Sequence, residues 1–228
     1  MKCSLFLKRF FDIVLSFFAL LITIPLWIII AAAIKIDSKG PVLFLQERRT
    51  KNGKVFKMFK FRTMVVGAES MGEGLFSYEG DSRITTVGYF LRRTSLDELP
   101  QLINVFLGEM SLIGPRPSEK NELGDYDSMN ARYKKRFDMK GGITGLAQCM
   151  GRNGISWDSK VNFDNQYIEE FKRAGVLFDL KILMISLKQV FGGGNISEKK
   201  KDDRLTNEEA ARIAEEEIIF NAHKREDK

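Results

Sequence analysis

The most one-sided stretch of the chain is IVLSFFALLITIPLWIIIAAAI at 13–34, an apolar run of 22 residues without a charge. A straight helix of that length spans about 33 Å, enough for a bilayer core. Lys8, Arg9 and Asp12 precede it, and Lys35, Asp37 and Lys39 follow. A cleaved signal peptide, a single crossing helix and a segment that re-enters on its own side all compete for such a run. A signal's apolar region is shorter, about 7–15 residues, so the first reading is the weakest. Pro25 stands mid-run, where its ring meets the Leu21 carbonyl and it has no N–H to give, so a break is expected there. The Thr23 hydroxyl is placed to bond a freed carbonyl. Basic residues at both ends show no positive-inside bias, as expected if both lie in cytoplasm. From the residues alone, crossing and re-entry stay equally open.

After Gly40-Pro41 the pattern changes. VLFLQERRTKNGKVFKMFKFRTM at 42–64 places two apolar runs around Asn52-Gly53, the strongest short signal for a β-hairpin. Lys57, Lys60 and Arg62 make the alternation of its second arm imperfect. Residues 66–82 are punctuated by glycine and read as loops with one short helix at most; they hold no Walker or dinucleotide pattern. In 84–110 the helical stripe Leu99, Leu102, Ile103 and Phe106 follows Ser95-Leu96-Asp97-Glu98, which fits a capping box. Pro100 suits a helix that starts at Asp97 better than one that starts at Ser95. Either start leaves Asp97 and Glu98 in the first turn. VLFDLKILMISLKQVF at 176–191 is an amphipathic helix, packed on the core or lying at an interface. GGGN at 192–195 opens a charged linker, and Thr206-Asn207-Glu208-Glu209 caps a tail helix with the stripe Leu205, Ala210, Ile213, Ala214 and Ile218. That helix is a dimer contact or a loosely docked appendage.

Composition narrows the chemistry. The net charge is +6. Residues 192–228 hold 8 basic and 10 acidic side chains, so the body at 1–191 carries 28 against 20. A basic body suggests an anionic partner: nucleic acid, nucleotide, phospholipid or another phosphate. His223 is the only histidine and lies in the tail, which excludes Ser-His-Asp and Cys-His catalysis and a histidine-built zinc site. Cys3 and Cys149 are too few for a disulfide framework. Catalysis is left to carboxylates, Lys, Arg, hydroxyls and backbone amides.

The adjacent Asp97–Glu98 pair is the strongest candidate. A helix start and the nearby Arg92 and Arg93 favour ionised carboxylates. An ionised Asp can attack phosphorus, and an ionised Glu can hold Mg²⁺; taken alone, the pair also reads as ordinary first-turn caps. Residues 48–62 contain seven Lys/Arg and no acid. They form a wet face, sit at anionic headgroups, or turn Lys60 or Arg62 towards a phosphate. Arg116 is held between two prolines in Gly114-Pro115-Arg116-Pro117, either an anion clamp or a rigid surface turn. GGITGLAQCMGRNG at 141–154 has five glycines and Arg152, weak evidence for a phosphate loop. Trp157, Asp158 and Asp164 read as packing.

Taken in order, KRFFDI at 8–13, the proline-interrupted apolar segment, FKMFKFRTM at 56–64, SLDELPQLINVFLGEMSLIGPRP at 95–117 and GITGLAQ followed by GRN at 142–153 resemble the small monotopic phosphoglycosyl transferases. These bacterial sugar transferases start glycan assembly on a polyprenyl phosphate. The resemblance runs from about Lys8 to Phe191. It implies that Asp97 attacks the sugar-bearing phosphate of a UDP-sugar, that UMP leaves, and that undecaprenyl phosphate takes the phosphosugar from the enzyme. It implies Mg²⁺ at Glu98, with Asp97 as a second ligand, and phosphate or nucleotide contacts at Arg92, Arg116 and Arg152.

The implied fold is α+β, a compact, mostly helical domain with a small hairpin and an N-terminal re-entrant membrane helix broken at Pro25. The chain then divides into membrane helix and flanks at 1–39, a cytoplasmic catalytic domain with interfacial helices at 40–191, and linker and charged helix at 192–228. The implied location is the cytoplasmic face of the bacterial inner membrane, in monotopic form. Expected partners are the UDP-sugar, polyprenyl phosphate, anionic lipids, a second copy of the chain and downstream glycosyltransferases. Nucleic acid is not expected, because only net charge suggests it. A membrane-bound scaffold for glycan enzymes is the competing class. An amino sugar and a plain hexose both stay open as the substrate. Two positions depart from the pattern: Ile24 stands where serine is common before the proline, and Gly141 where proline is common, which predicts a looser loop.

Overall fold

The computed structural model describes residues 2–71, 80–151 and 155–191. Arg152 and the linker and tail helix expected at 192–228 lie outside the described residues, as does the middle of the glycine-punctuated stretch, at 72–79. The architecture is mixed and mostly helical. Helix α1 (Lys2–Asp37) leads into strands β1 (Leu43–Arg49) and β2 (Val55–Phe61). Helices α2 (Thr86–Arg93) and α3 (Gln101–Leu107) follow, then strands β3 (Ser111–Ile113) and β4 (Ser118–Glu119). Helix α4 (Ala131–Lys135), strand β5 (Gly142–Thr144), α5 (Leu146–Gly151), α6 (Trp157–Ala174) and α7 (Val176–Phe191) complete it.

The hairpin forms where Asn-Gly predicts it. Asn52 and Gly53 both take positive φ, 57° and 75°, which turns the chain so that Leu43 pairs with Phe61 and Arg49 with Val55. β4 joins the other edge of β1, opposite Arg48 and Arg49, and β3 pairs with β5 in parallel. Register resolves the imperfect alternation of the second arm. Phe56, Met58 and Lys60 share one face, opposite Arg48, Gln46 and Phe44. Phe56 and Met58 pack there against Val105 of α3 and Met110, so Lys60 is carried inward with them.

Gly141 does not loosen its loop. Its N–H donates to Thr50 Oγ1 at 3.0 Å, a bond proline could not make, and its carbonyl accepts from Ser111 N at 2.8 Å.

Helix α1 inverts the usual arrangement. Phe6, Phe10, Ile22, Ile28 and Ile29 are exposed, whereas Lys8, Asp12 and Ser16 are buried against the body on one face, at i, i+4 and i+8. Lys8 Nζ reaches the Ile113 carbonyl at 2.8 Å and Asp179 Oδ2 at 2.7 Å. Asp12 Oδ1 accepts from Ser111 Oγ and from Leu112 N. Arg9 donates to the Val105 and Phe106 carbonyls at the end of α3. The other end of α1 is tied to the same body. Ile30 and Ile34 pack with Phe61 and Leu91, Trp27 meets Phe61 edge-on at 5.2 Å, and Asp37 Oδ2 accepts from Val87 N. Pro25 lies inside α1 and does not divide it into two elements. The Thr23 hydroxyl donates to the carbonyls of Ala19 and Leu20, not to that of Leu21. By length and composition α1 could cross a bilayer, with a mean hydropathy of 2.8 in its most apolar window.

A third cluster joins β3, α5, α6 and α7 around Tyr167, Phe171 and Ile182. Helix α7 buries Asp179 and Ile182, while Leu177, Leu180, Met184 and Leu187 stay exposed. One face thus packs on the core, and an apolar face remains outside.

Candidate active site

The capping box does not form. Ser95 takes a left-handed conformation, φ 57°, and its side chain makes no cap bond; Leu96–Glu98 is a separate 3₁₀ turn. Helix α3 starts only at Gln101, with Pro100 as its N-cap, where the missing N–H costs nothing. Asp97 and Glu98 thus project from a tight turn between α2 and α3. Glu98, released from capping, turns to the basic groups instead.

Arg116 Nη2 donates to Glu98 Oε1 at 2.6 Å, and Lys60 Nζ stands 3.8 Å from the same oxygen. Burial is the largest influence on Glu98 and pushes its pKa up, but Arg116, Lys60 and Arg48 together outweigh it and hold it well below the usual range. Asp97 goes the other way. Burial and the Glu98 charge raise it to about 6, against the pull of Lys60, Arg92 and Arg116. The expected reason for an ionised Asp97, a helix start with Arg92 and Arg93, is therefore incomplete: Arg93 is exposed at the end of α2, and burial opposes ionisation. Burial likewise lowers Lys60, to about 8.

Arg92 donates Nε to Thr63 Oγ1 at 2.8 Å, which fixes it beside β2. Gly88 allows this approach, since a Cβ there would lie 2.0 Å from the Thr63 carbonyl oxygen. Arg62 is placed elsewhere: it is buried and clasps the carbonyls of Ser38 and Lys39 just beyond the end of α1. Lys60, Arg92 and Arg116 are thus brought to the dyad and Arg62 is not. Asp164, read as packing, forms a buried pair with Arg136.

Arg48 was missed. It is largely enclosed, bonded to Gln46, Glu119 and the Pro117 carbonyl, and its charge is felt at Glu98. The signal available was its place across the hairpin from Phe56, on the face shared with Lys60.

Among the described residues no group of three or more His, Cys, Asp or Glu could cage a metal. Two adjacent carboxylates do suit Mg²⁺ brought with a diphosphate, since that ion is commonly held by one or two carboxylates plus substrate oxygens and water.

A half-buried carboxylate pair with Lys60, Arg92, Arg116 and Arg48 around it could receive a phosphorylated substrate. The family profile described as bacterial sugar transferase matches residues 3–193. The chain belongs to this family. The galactosyl transferase CpsE of Streptococcus agalactiae serotype III (strain NEM316) is 42% identical over 197 residues, covering 82% of this chain and 42% of that protein. The UDP-glucose:undecaprenyl-phosphate glucose-1-phosphate transferase of Escherichia coli (strain K12) is 43% identical over 190 residues, covering 81% and 40%. The exopolysaccharide production protein ExoY of Rhizobium meliloti (strain 1021) is 40% identical over 178 residues, covering 72% and 77%. Against the first two of these sugar transferases, the chain spans about two-fifths of the relative's length.

Proposed function

We propose that this bacterial sugar transferase moves a phosphosugar from a UDP-sugar to polyprenyl (undecaprenyl) phosphate through a covalent intermediate on Asp97. The observation that carries the reading is the split dyad: Glu98 is held ionised by its pairing with Arg116 and Lys60, while Asp97 beside it has a raised pKa of about 6. At neutral pH Asp97 is then an anion, and it is more basic than an ordinary aspartate.

In the first displacement a carboxylate oxygen of Asp97 bonds to the sugar-bearing phosphorus. The bond to the bridging oxygen breaks, and UMP leaves with the electron pair. In the second, an oxygen of polyprenyl phosphate attacks the same phosphorus and the Asp97–phosphorus bond breaks, restoring the carboxylate. Lys60, Arg92 and Arg116 hold the diphosphate and stabilise charge as it moves to the leaving oxygen. Arg116 also keeps Glu98 ionised. Glu98, with Asp97, would hold Mg²⁺, which when bound offsets diphosphate charge so that an anion can approach.

The same reading places α1 in the membrane without crossing it. Lys8, Asp12 and Arg9 at one end, and Asp37 at the other, bond to one body, which favours both ends on the cytoplasmic face and a monotopic, re-entrant helix. The basic hairpin then lies near anionic headgroups.

The direct test is UMP release from UDP-sugars by nanodisc-held protein with Mg²⁺ and undecaprenyl phosphate. One relative's name prints UDP-glucose and another's galactose, so UDP-glucose and then the UDP form of galactose are the first donors to try. Folded protein that releases no UMP across a broad donor panel would remove the reading.

A further inference from the structure

The Gly114–Pro117 loop carries Arg116 to Glu98, yet two of its four residues are prolines without an N–H. Gly114 N donates to Thr144 O at 2.9 Å, and the rest of the loop is anchored through three consecutive carbonyls. Pro115 O accepts from Gly142 N of β5 at 2.9 Å, Arg116 O from Arg136 Nη2 at 2.7 Å, and Pro117 O from Arg48 Nη1 at 3.1 Å. Arg136 is the most enclosed of these donors. Its side chain is 2% exposed and that of its partner Asp164, on α6, 1%. Nε and Nη2 lie 2.9 and 2.8 Å from Asp164 Oδ2, and the Trp157 ring centre is 5.0 Å from the guanidinium carbon.

A buried ion pair is a poor way to stabilise a fold. Desolvation cancels much of the attraction, and an apolar pair of similar volume does as well or better. An apolar pair cannot donate to the Arg116 carbonyl. We propose that Arg136, fixed by Asp164, is a positioning residue that sets the backbone of Arg116, and through it the contact of its guanidinium with Glu98. This rests on the reading of the dyad as the transfer site. The rival role is purely structural, tying α6 to the 3₁₀ turn at Arg136–Asp138.

The test uses the full chain in nanodiscs, with both charges removed together in Arg136→Met/Asp164→Leu. Melting is expected at or above the wild-type temperature. The kcat for UMP release should fall about 100-fold, the scale of a misplaced catalytic contact, with KM for the donor changed less than about threefold. Amide exchange should quicken in a peptide covering 114–119. In an Arg116→Ala background the same double change should cost little more, because the two act through one contact. Wild-type kcat in the folded double variant overturns the proposal, and so does a full loss added on top of Arg116→Ala. If the double variant does not fold, Arg136→Lys keeps the charge but loses the planar fork that serves Asp164 and the carbonyl at once. Its kcat should fall, and an unchanged kcat overturns the proposal. Exchange is read without turnover, so the two failures separate. An inactive wild type removes the transferase reading, whereas unchanged exchange at 114–119 in the variant removes this one.

Discussion

Arg116 Nη2 and Glu98 Oε1 stand 2.6 Å apart, and this contact divides two carboxylates that are neighbours in the chain. Burial pushes both pKa values up. At Glu98 the guanidinium and its basic neighbours overcome that push; at Asp97 they do not. Two carboxylates set apart by their surroundings suit different tasks; in the proposed reaction Glu98 stays an anion and Asp97 is the nucleophile.

A bell-shaped pH profile follows. Asp97 acts as an anion, so kcat/KM for UMP release should rise with pH through about 6 as Asp97 loses its proton. Lys60 acts as a cation, so the rate should fall again through about 8 as it loses its own. Lys60→Arg keeps the charge at high pH and should remove the alkaline fall. Initial rates at fixed Mg²⁺ from pH 5 to pH 9 would check this, and a flat profile would remove both assignments.

Lys8 and Asp179 form a pair whose side chains are 7% and 9% exposed, and Tyr167 Oη donates to the second Asp179 oxygen at 2.8 Å. Lys8→Met leaves Asp179 buried without its cation, at a cost of about 3–5 kcal/mol. A clear drop in melting temperature in detergent is expected. Lys8→Met/Asp179→Leu should recover most of it, because both charges are gone. A single variant that melts like wild type would mean that this clasp does not secure α1.

What could be read along the chain was what local pattern controls. Asn52-Gly53 determines its own turn, and the motif around Asp97 marks the dyad. What could not be read depends on distant partners. Ser95 fits a capping box by type, but its positive φ is imposed by the turn from α2 into α3. Glu98 finds Arg116, eighteen positions on, and no period reports that. β3, β4 and β5 are two or three residues each, too short for alternation to show. Lys8 and Asp12 read as polar flanks of an apolar run, yet they face protein while the apolar residues face outward. Only the body they dock against reveals the inversion.

Docking of both ends of α1 to one body makes topology testable. Single cysteines before Lys8 and after Lys39, with Cys3 and Cys149 removed, should both resist a membrane-impermeant thiol reagent added outside intact cells. Both should react in inverted vesicles. Labelling of the N-terminal site alone from outside would establish a crossing helix. It would also require Lys8 and Asp12 to leave their bonds with Ile113, Asp179 and Leu112, which the melting of Lys8→Met would register independently.

The covalent step is the sharpest expectation. An anionic Asp97 that attacks phosphorus should act before any acceptor lipid arrives. Protein mixed with a UDP-sugar and Mg²⁺ alone should release UMP in an amount limited by enzyme concentration, gain the mass of one phosphosugar, and carry it on a peptide containing Asp97. Asp97→Asn preserves size but loses the nucleophilic anion, so burst and adduct should both vanish and turnover fall by at least about 10³-fold, the scale of losing a nucleophile. Glu98→Gln keeps Asp97 but removes the charge that Arg116 and Lys60 balance; the burst should survive at a lower rate with a greater Mg²⁺ requirement. Arg116→Lys should also be slow, because a point charge cannot reproduce the planar fork. A scaffold would sustain glycan output in cells with Asp97→Asn, whereas the transferase would not. UMP release that always requires both substrates, with no adduct trapped, would instead mean direct transfer. Asp97 would then be a metal ligand, and its raised pKa would reflect burial beside Glu98 without marking a nucleophile.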